Sequence, residues 1–472
     1  MTPNSRSGTA PGQIIESRGL LSGFADAALR GLAPLAVGAL GLAASITPAQ
    51  AVPSYARQTG FACSMCHTSI PELTAFGRNF KLNGYVQKAD GAPALPVTAL
   101  VIGGFTHTAK AQDAPPLAYS TKTNDITSID QVSLLYAGRI TGNMGAFVQV
   151  TYDPNAHSWA WDNMDIRYAD TGKLFGQDAT YGFSLNNNPT VQDLWATSPA
   201  WGYPAFDSAV GPQSGPVGTL LQGTLGQEVL GLTGYSMFGN GLYTEFGGYT
   251  GLPDHTAAAL GVPNASGSFK VQGIAPYARI AYSKDLSKKS TLMVGAMAMV
   301  ANLTPWDTSA GTGKDHYVDF GIDSQYDYSG KNFGLMFKAR DIMEWQTTSG
   351  AAPISGASNA SNTLNALDLS VTYYKPTWAV IGAFSNVSGS KDAGLYSGSS
   401  ATNSPNSQSV SLEVNYSPWM DGGPKFDPMG NMKIGAKYTH FLSLGGGTTN
   451  FDGAGHNASD NDYLFLYTVF AF

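Results

Sequence analysis

The sequence predicts a mainly β protein: a 16-stranded antiparallel outer-membrane β-barrel carrying a small N-terminal α-helical module. Three observations predict it. Sixteen segments alternate apolar and polar residues with period two, the links between them tend to alternate between short turns and long loops, and an alternating strand closes on Phe472.

The composition narrows the class further. Charged residues make up 12 %, the formal net charge is -7, and there are 56 Gly and 23 Tyr but only 2 Cys. This excludes a basic nucleic-acid binder and a disordered tail, so no nucleic acid is expected as a partner. The mean hydropathy of -0.09 resembles that of a soluble chain. Past the first fifty residues no apolar run approaches the roughly 20 residues of a spanning helix. Barrel strands escape such averages, because their polar half hides the apolar half.

At the N-terminus, Arg18 and Arg30 precede the apolar stretch Gly31 to Ile46, and Ala49-Gln50-Ala51 has a small-x-small cleavage pattern. Residues 1–51 are therefore expected to be a secretory signal peptide that is removed, with the mature chain starting near Val52. Pro34 and Pro48 bracket the run and oppose a buried core helix. Export brings both cysteines to an oxidising compartment, where thiols are normally paired or otherwise occupied.

Residues 52–96 are too few to hold a core without a covalent or metal staple. Cys63-Ser64-Met65-Cys66-His67 matches C-x-x-C-H, the attachment site of one covalently bound c-type haem. Cys63 and Cys66 would form the thioethers and His67 would be the axial ligand of the haem iron. Three-residue spacing brings both sulfurs to one side of a helical turn, and the next residue turns its ring under the same face. A plain disulfide or a thioredoxin-like redox pair are the competing readings. Neither needs His67, and no βαβ pattern surrounds the motif.

Behind the motif, Ser69 and Glu72 have capping-box spacing, Pro71 suits a first turn, and Leu73, Phe76 and Phe80 form one apolar face. Asn83-Gly84 stops this single expected helix, which would lie against the haem. Arg57, Arg78 and Lys81 are candidates to pair with the propionates, set against simple solvated charges. The distal iron ligand is unassigned: Met65 lies inside the tether, and the candidates are His107, Met293, Met297 and Met299 if the module docks in the lumen.

Residues 97–472 are expected to form the barrel. Candidate strands lie near 97–107, 131–141, 143–153, 160–170, 179–186, 228–237, 241–249, 274–284, 289–300, 316–327, 331–345, 364–375, 377–387, 408–417, 430–441 and 462–472. Val410, Leu412, Val414 and Tyr416 point one way, and Ser409, Ser411, Glu413 and Asn415 the other. Long Gly/Ser/Asn/Thr-rich connections fall at 108–130, 187–227, 250–273, 346–363, 388–407 and 442–461, with 154–159 unusually brief and 418–429 unusually long for their sides. A β-sandwich would not need about ten residues in strand after strand. Tyr136, Tyr152, Tyr168, Tyr282, Tyr373, Tyr416 and Tyr438 suit an interfacial girdle. The lumen face would carry Arg139, Asp165, Arg167, Arg279, Asp323, Lys338, Arg340, Asp368, Glu413, Lys433 and Lys437.

Tether, helix and barrel in one chain resemble the outer-membrane cytochrome-porin fusions, the iron oxidases of iron-oxidising bacteria. The matching text is Pro53 to Gly60, the Cys63–His67 motif, Pro71-Glu72-Leu73, Phe76-Gly77, Phe80 to Tyr85, and Asn186 to Trp195 leading to Pro199-Ala200-Trp201-Gly202. The resemblance implies a monohaem cytochrome c module over 52–96, fused to a porin-like barrel in the outer membrane of a Gram-negative bacterium. The module would enter from the periplasmic side or dock in the lumen. It further implies an Fe(II)-oxidising oxidoreductase, whose partners are extracellular Fe(II) or another donor, a periplasmic cytochrome or similar carrier, and outer-membrane lipid. Two other readings stay open: a diffusion porin with a structural or sensory haem, and an outward conduit to extracellular acceptors. Asp452, His456, Asp460 and Asp462, and Asp315-His316 with Asp319, are candidate places for iron to dock.

Overall fold

The computed structural model describes residues 52–472 except 93–94, 117–120, 154–156, 199–205, 213, 263–268, 306–312, 349–355, 426 and 428. The expected signal peptide and the stretch Pro199 to Gly202 lie outside the described residues.

The strands run in order as β1 (Val97–Thr108), β2 (Ile126–Arg139), β3 (Met144–Asp153), β4 (Ser158–Leu174), β5 (Gln177–Asn186), β6 (Val229–Phe238), β7 (Leu242–Gly251), β8 (Phe269–Val271) and β9 (Ala275–Ser287). They continue as β10 (Ser290–Pro305), β11 (Asp315–Ser329), β12 (Gly334–Thr347), β13 (Ser361–Lys375), β14 (Trp378–Gly389), β15 (Ser407–Tyr416), β16 (Asn431–Ser443) and β17 (Tyr463–Ala471). β1 pairs antiparallel with both β2 and β17, from Leu100↔Ala471 to Thr108↔Tyr463, so the sheet closes on itself. The three-residue β8 pairs with the far end of β10 and continues the line of β9, which leaves sixteen staves. All sixteen expected strands are present, and β8 is an addition.

Closure matters because lipid offers no hydrogen bonds, so a spanning sheet cannot leave an edge. The alternation falls as lipid demands. Leu412 is 54 % exposed and Phe246 62 %, both on the outer wall, whereas Glu413 and Glu245 between them are fully buried inside. The described fold is thus a closed, porin-like barrel of the outer-membrane type.

Short turns such as Ile140–Asn143 gather at one end, where Phe472 N also bonds Ala99 O. The long connections lie at the other. Two of them depart from the simple expectation for physical reasons. The long turn between β15 and β16 holds the N-terminal module, through Ser64 N to Met420 O at 3.1 Å and Ser64 to Asp421. The described parts of the connection between β5 and β6 fold into the lumen. There Leu220 N and Leu221 N donate to Glu344 and Asp319 on the inner wall, at 2.8 and 2.9 Å.

The lumen is consequently packed, and the expected lumenal charges other than Arg139 are ion-paired. Arg167 holds Asp165 at 2.8 Å, Arg279 holds Asp323 at 2.6 Å, and Arg340 holds Asp368. Lys433 holds Glu413 and Lys437 holds Asp207, both at 3.0 Å, and Lys338 reaches Glu72 of the module. Arg139 is the exception among the expected lumenal charges: it is exposed at the turn end, where its Nε donates to Thr141 O.

Candidate functional site

Three short helices, where one was expected, make up the module. They are α1 (Pro53–Thr59), α2 (Cys63–Cys66) and α3 (Ala75–Leu82). α1 starts on a proline, whose missing N–H costs nothing in a first turn, and all seven of its residues are buried. Wall contacts explain why. Ser54 N donates to Thr98 Oγ1 at 3.0 Å and Tyr55 OH to Ala146 O at 2.8 Å. The Gln58 amide donates to Tyr85 O and accepts from Arg139 N, both at 2.6 Å.

α3 begins later than the capping-box spacing implied. Thr74 is its N-cap, accepting from Gly77 N at 3.1 Å, whereas Ser69 and Glu72 close a tight turn and Leu73 bridges back to His67. Gly77 is required there: a Cβ would lie 2.3 Å from Cys66 O, so α3 presses its backbone directly on α2. Phe80 joins Tyr55 and Tyr85 in an aromatic core, while Phe76 turns outward to meet Phe61 edge-on at 5.3 Å.

α2 holds both cysteines in a single turn, and His67 is its C-cap in an extended conformation. His67 N donates to Cys63 O at 2.8 Å, closing the turn, and His67 Nδ1 lies 3.2 Å from Pro71 O. A carbonyl only accepts, so Nδ1 carries the proton and Nε2 keeps its lone pair for a metal. Burial pushes the His67 imidazole down to about 4, which keeps it neutral at ordinary pH. Burial also pushes the Cys63 thiol up to about 12 and that of Cys66 up to about 11. Thiols so reluctant to ionise make a poor redox pair, which counts against the thioredoxin-like reading. No disulfide joins them, and Asn431 Nδ2 donates to Cys63 Sγ at 2.7 Å.

A cavity of about 510 Å³ lies beside Cys66 and His67, between module, wall and lumenal insert. Leu100 and Ile102 of β1, Leu135 of β2, Phe147 of β3 and Val469 of β17 face it, alongside polar Thr98, Asp130, Gln131, Asn431 and Lys433, so this sector of the wall is largely, not wholly, apolar on the inside. Asp130 Oδ2 and Asn431 Oδ1, both on residues lining the cavity, are buried without a hydrogen-bond partner. The expectation of a polar lumen missed this sector. Its signal was present in Leu100 and Ile102, apolar residues at the positions where β1 should have been polar.

The other candidates disperse. Arg57 donates to Val97 O, and Arg78 donates to Leu73 O and pairs with Asp327 at 2.8 Å; of the three propionate candidates only Lys81 lines the cavity. None of the four distal candidates lines it. His107 pairs with Asp125 at 2.7 Å, Met293 packs with Leu82 and Trp195, and Met297 and Met299 pack with Leu220 and Leu221. Of the candidate iron-docking residues, Asp452 and His456 stay together, while most of the others take different partners. Asp452 holds His456 at 2.5 Å, Asp460 holds Lys110 at 3.0 Å, and Asp462 holds His440 at 2.5 Å. His316 turns to Asn302, while Asp319 supports the insert. Among the described residues no three His, Cys, Asp or Glu side chains gather as a metal site.

Fold and lumen together define a porin-like transmembrane barrel whose turn-end half is filled by its own N-terminal module. Neither a protein-family model nor a curated protein matches the chain. Among solved structures it is similar to OmpF of Salmonella typhi, determined in complex with daunomycin, at 13 % identity and a TM-score of 0.46 over 80 % of this chain and 97 % of that one. The outer-membrane channel DcaP of Acinetobacter baumannii is similar at 13 % identity and a TM-score of 0.45, covering 80 % and 96 %. OmpT of Vibrio cholerae, as a loop L8 deletion mutant, matches at 8 % identity and 0.39, covering 80 % and 98 %.

Proposed function

We propose that the protein is an outer-membrane electron-transfer protein. An electron from an extracellular donor, Fe(II) in the first instance, reaches a periplasmic carrier by way of one c-type haem tethered by Cys63 and Cys66 and ligated by His67. Each Fe(II) oxidised to Fe(III) releases one electron, and the carrier gains it. The observation that carries this reading is the cavity: about 510 Å³ beside Cys66 and His67, within the roughly 300–1,000 Å³ usual for sites that enclose an organic ligand.

When bound, the haem supplies a one-electron couple inside an insulating membrane. The rest is the work of the chain. Pro71 O fixes the His67 tautomer, and burial keeps protons from competing for Nε2 above about pH 4. The largely apolar sector of β1, β2, β3 and β17 excludes water from the ligand face. Met65, 42 % exposed on the same turn as Cys66, offers an apolar contact for a carrier at the turn end. The donor assignment rests on the resemblance carried by residues 53–85 and 186–195.

The barrel architecture by itself favours a second reading, a diffusion porin whose haem is structural or sensory. Against it stand lumenal charges such as Arg167, 0 % exposed, and Lys433, 1 % exposed, which lie packed beneath module and insert. An optical spectrum of the purified protein with and without Fe(II) tests the proposal. Prompt appearance of the reduced haem bands is expected; a redox-inert haem, together with solute flux through protein-loaded liposomes, would establish the porin instead.

A further inference from the structure

The cations of the inner wall share a habit that Lys81 of the module breaks. Arg167, Arg279, Lys338, Arg340, Lys433 and Lys437 each hold a carboxylate. Lys81, on α3, does not. Its ammonium donates to Val191 O at 2.6 Å and Asp193 O at 2.9 Å, both on the lumenal insert. Among the described residues no carboxylate lies within 4 Å of it.

The neighbouring acids are committed elsewhere. Asp165 takes Arg167 at 2.8 Å and the Tyr85 hydroxyl at 2.6 Å. Asp193 turns its carboxylate to Arg279 at 3.4 Å and to Trp195 N and Thr197 N, and Glu245 accepts from Tyr243 at 2.9 Å. Arg167 adds repulsion. Burial, with that repulsion, pushes the Lys81 ammonium down to about 8. An ammonium has three donors and two are used, so a positive charge with one spare N–H borders the cavity. A buried charge of this kind calls for an anion.

We propose that Lys81 receives a carboxylate of the bound tetrapyrrole, so that the acid edge of the haem points inward toward the Val191–Asp193 backbone while the thioether edge stays with α2. This rests on the haem reading above. It assigns the haem an orientation in the cavity, with its propionates away from the turn end. Val191 O and Asp193 O aim the ammonium, so the lumenal insert acts as a positioning element for the cofactor.

The test uses full-length holoprotein in detergent, comparing wild type with Lys81→Met and Lys81→Arg. Haem staining on a denaturing gel comes first: wild type without covalent haem overturns the haem reading and this inference with it. With haem present in all three, Lys81→Met is expected to lower the midpoint potential, since removing a positive charge favours the ferric form. It should also make the potential rise on acidification from pH 7 to 5, as the released carboxylate takes up a proton, and Lys81→Arg should restore both properties. A Lys81→Met protein with attached haem and the wild-type potential and pH profile would refute the inference and leave the haem reading intact. If Lys81→Met does not accumulate, infrared spectra of wild type carrying ¹³C-labelled propionates decide. At least one labelled carboxylate that stays ionised throughout pH 5–9 supports the contact, and protonation of both between pH 5 and 7 overturns it.

Discussion

The barrel wall and the module it encloses reach stability by opposite routes. Each stave is hydrogen-bonded along both sides by its neighbours, and the greasy face needs only lipid. The module has three helices of 7, 4 and 8 residues, each shorter than the roughly 12–15 at which an isolated helix becomes even marginal. It borrows its core from the wall: Tyr55, Phe80 and Tyr85 pack with Leu135, Ala137 and Phe147, and with Met420 of the long turn. The wall is therefore a scaffold, and the module a tenant whose core the wall completes.

The largest expected effect comes from separating the tenant from its proposed ligand. If Cys63 and Cys66 tether a haem as proposed, Cys63→Ala removes one thioether, so covalent haem should fall to a small fraction of wild type, while the barrel keeps its heat-modifiable migration on gels. Unchanged haem staining would show that the tether assignment is mistaken. Next in size is Gly77→Ala. The added Cβ would meet Cys66 O at 2.3 Å, backbone against backbone, where little relief exists. Overpacking of this sort costs about 1–3 kcal/mol, all of it in the module. Faster proteolysis within 53–89 is expected, with the strands still protected; equal rates in variant and wild type would mean that α2 and α3 do not pack as described.

The same division governs what the sequence made legible. Lipid on one side enforces strict alternation, so every stave could be read from residues such as Leu412 and Glu413. The ends could not. β2 begins at Ile126 and not near 131, because beyond the membrane the pattern loses its lipid-facing half. The start of α3 was misjudged because Ser69 and Glu72 satisfy a turn as readily as a cap, and the decisive bond, Gly77 N to Thr74 Oγ1, has no signature of its own. Cys63, Cys66 and His67 were singled out by spacing alone, and the fold sets Cys66 and His67 on the cavity. The largely apolar inner sector and the backbone-held ammonium of Lys81 needed the fold, since what surrounds them comes from β1, β17 and an insert more than a hundred residues away.

Smaller effects sharpen the boundary between tenant and scaffold. Tyr85→Phe deletes the hydroxyl that donates to Asp165 at 2.6 Å, a bond that ties the chain just beyond α3 to the wall. Losing a buried hydrogen bond to a charged group should cost about 1.5–3 kcal/mol, measured as lowered denaturant resistance of the module alone. A simultaneous drop in the barrel's own midpoint would show that the two regions unfold as one. The mildest prediction concerns the far end of the scaffold, where His456 Nδ1 meets Asp452 at 2.5 Å in the loop between β16 and β17. The Asp452 carboxylate raises the His456 pKa above its ordinary value. A raised folded-state pKa means the contact contributes fully below about pH 6.5 and fades as pH climbs through the raised value. Amide exchange in residues 450–458 should therefore quicken, beyond its intrinsic pH dependence, above that range, while α2 and α3 show no matching step. His456→Gln should abolish the step, and a step that survives it would assign the pH response to another group.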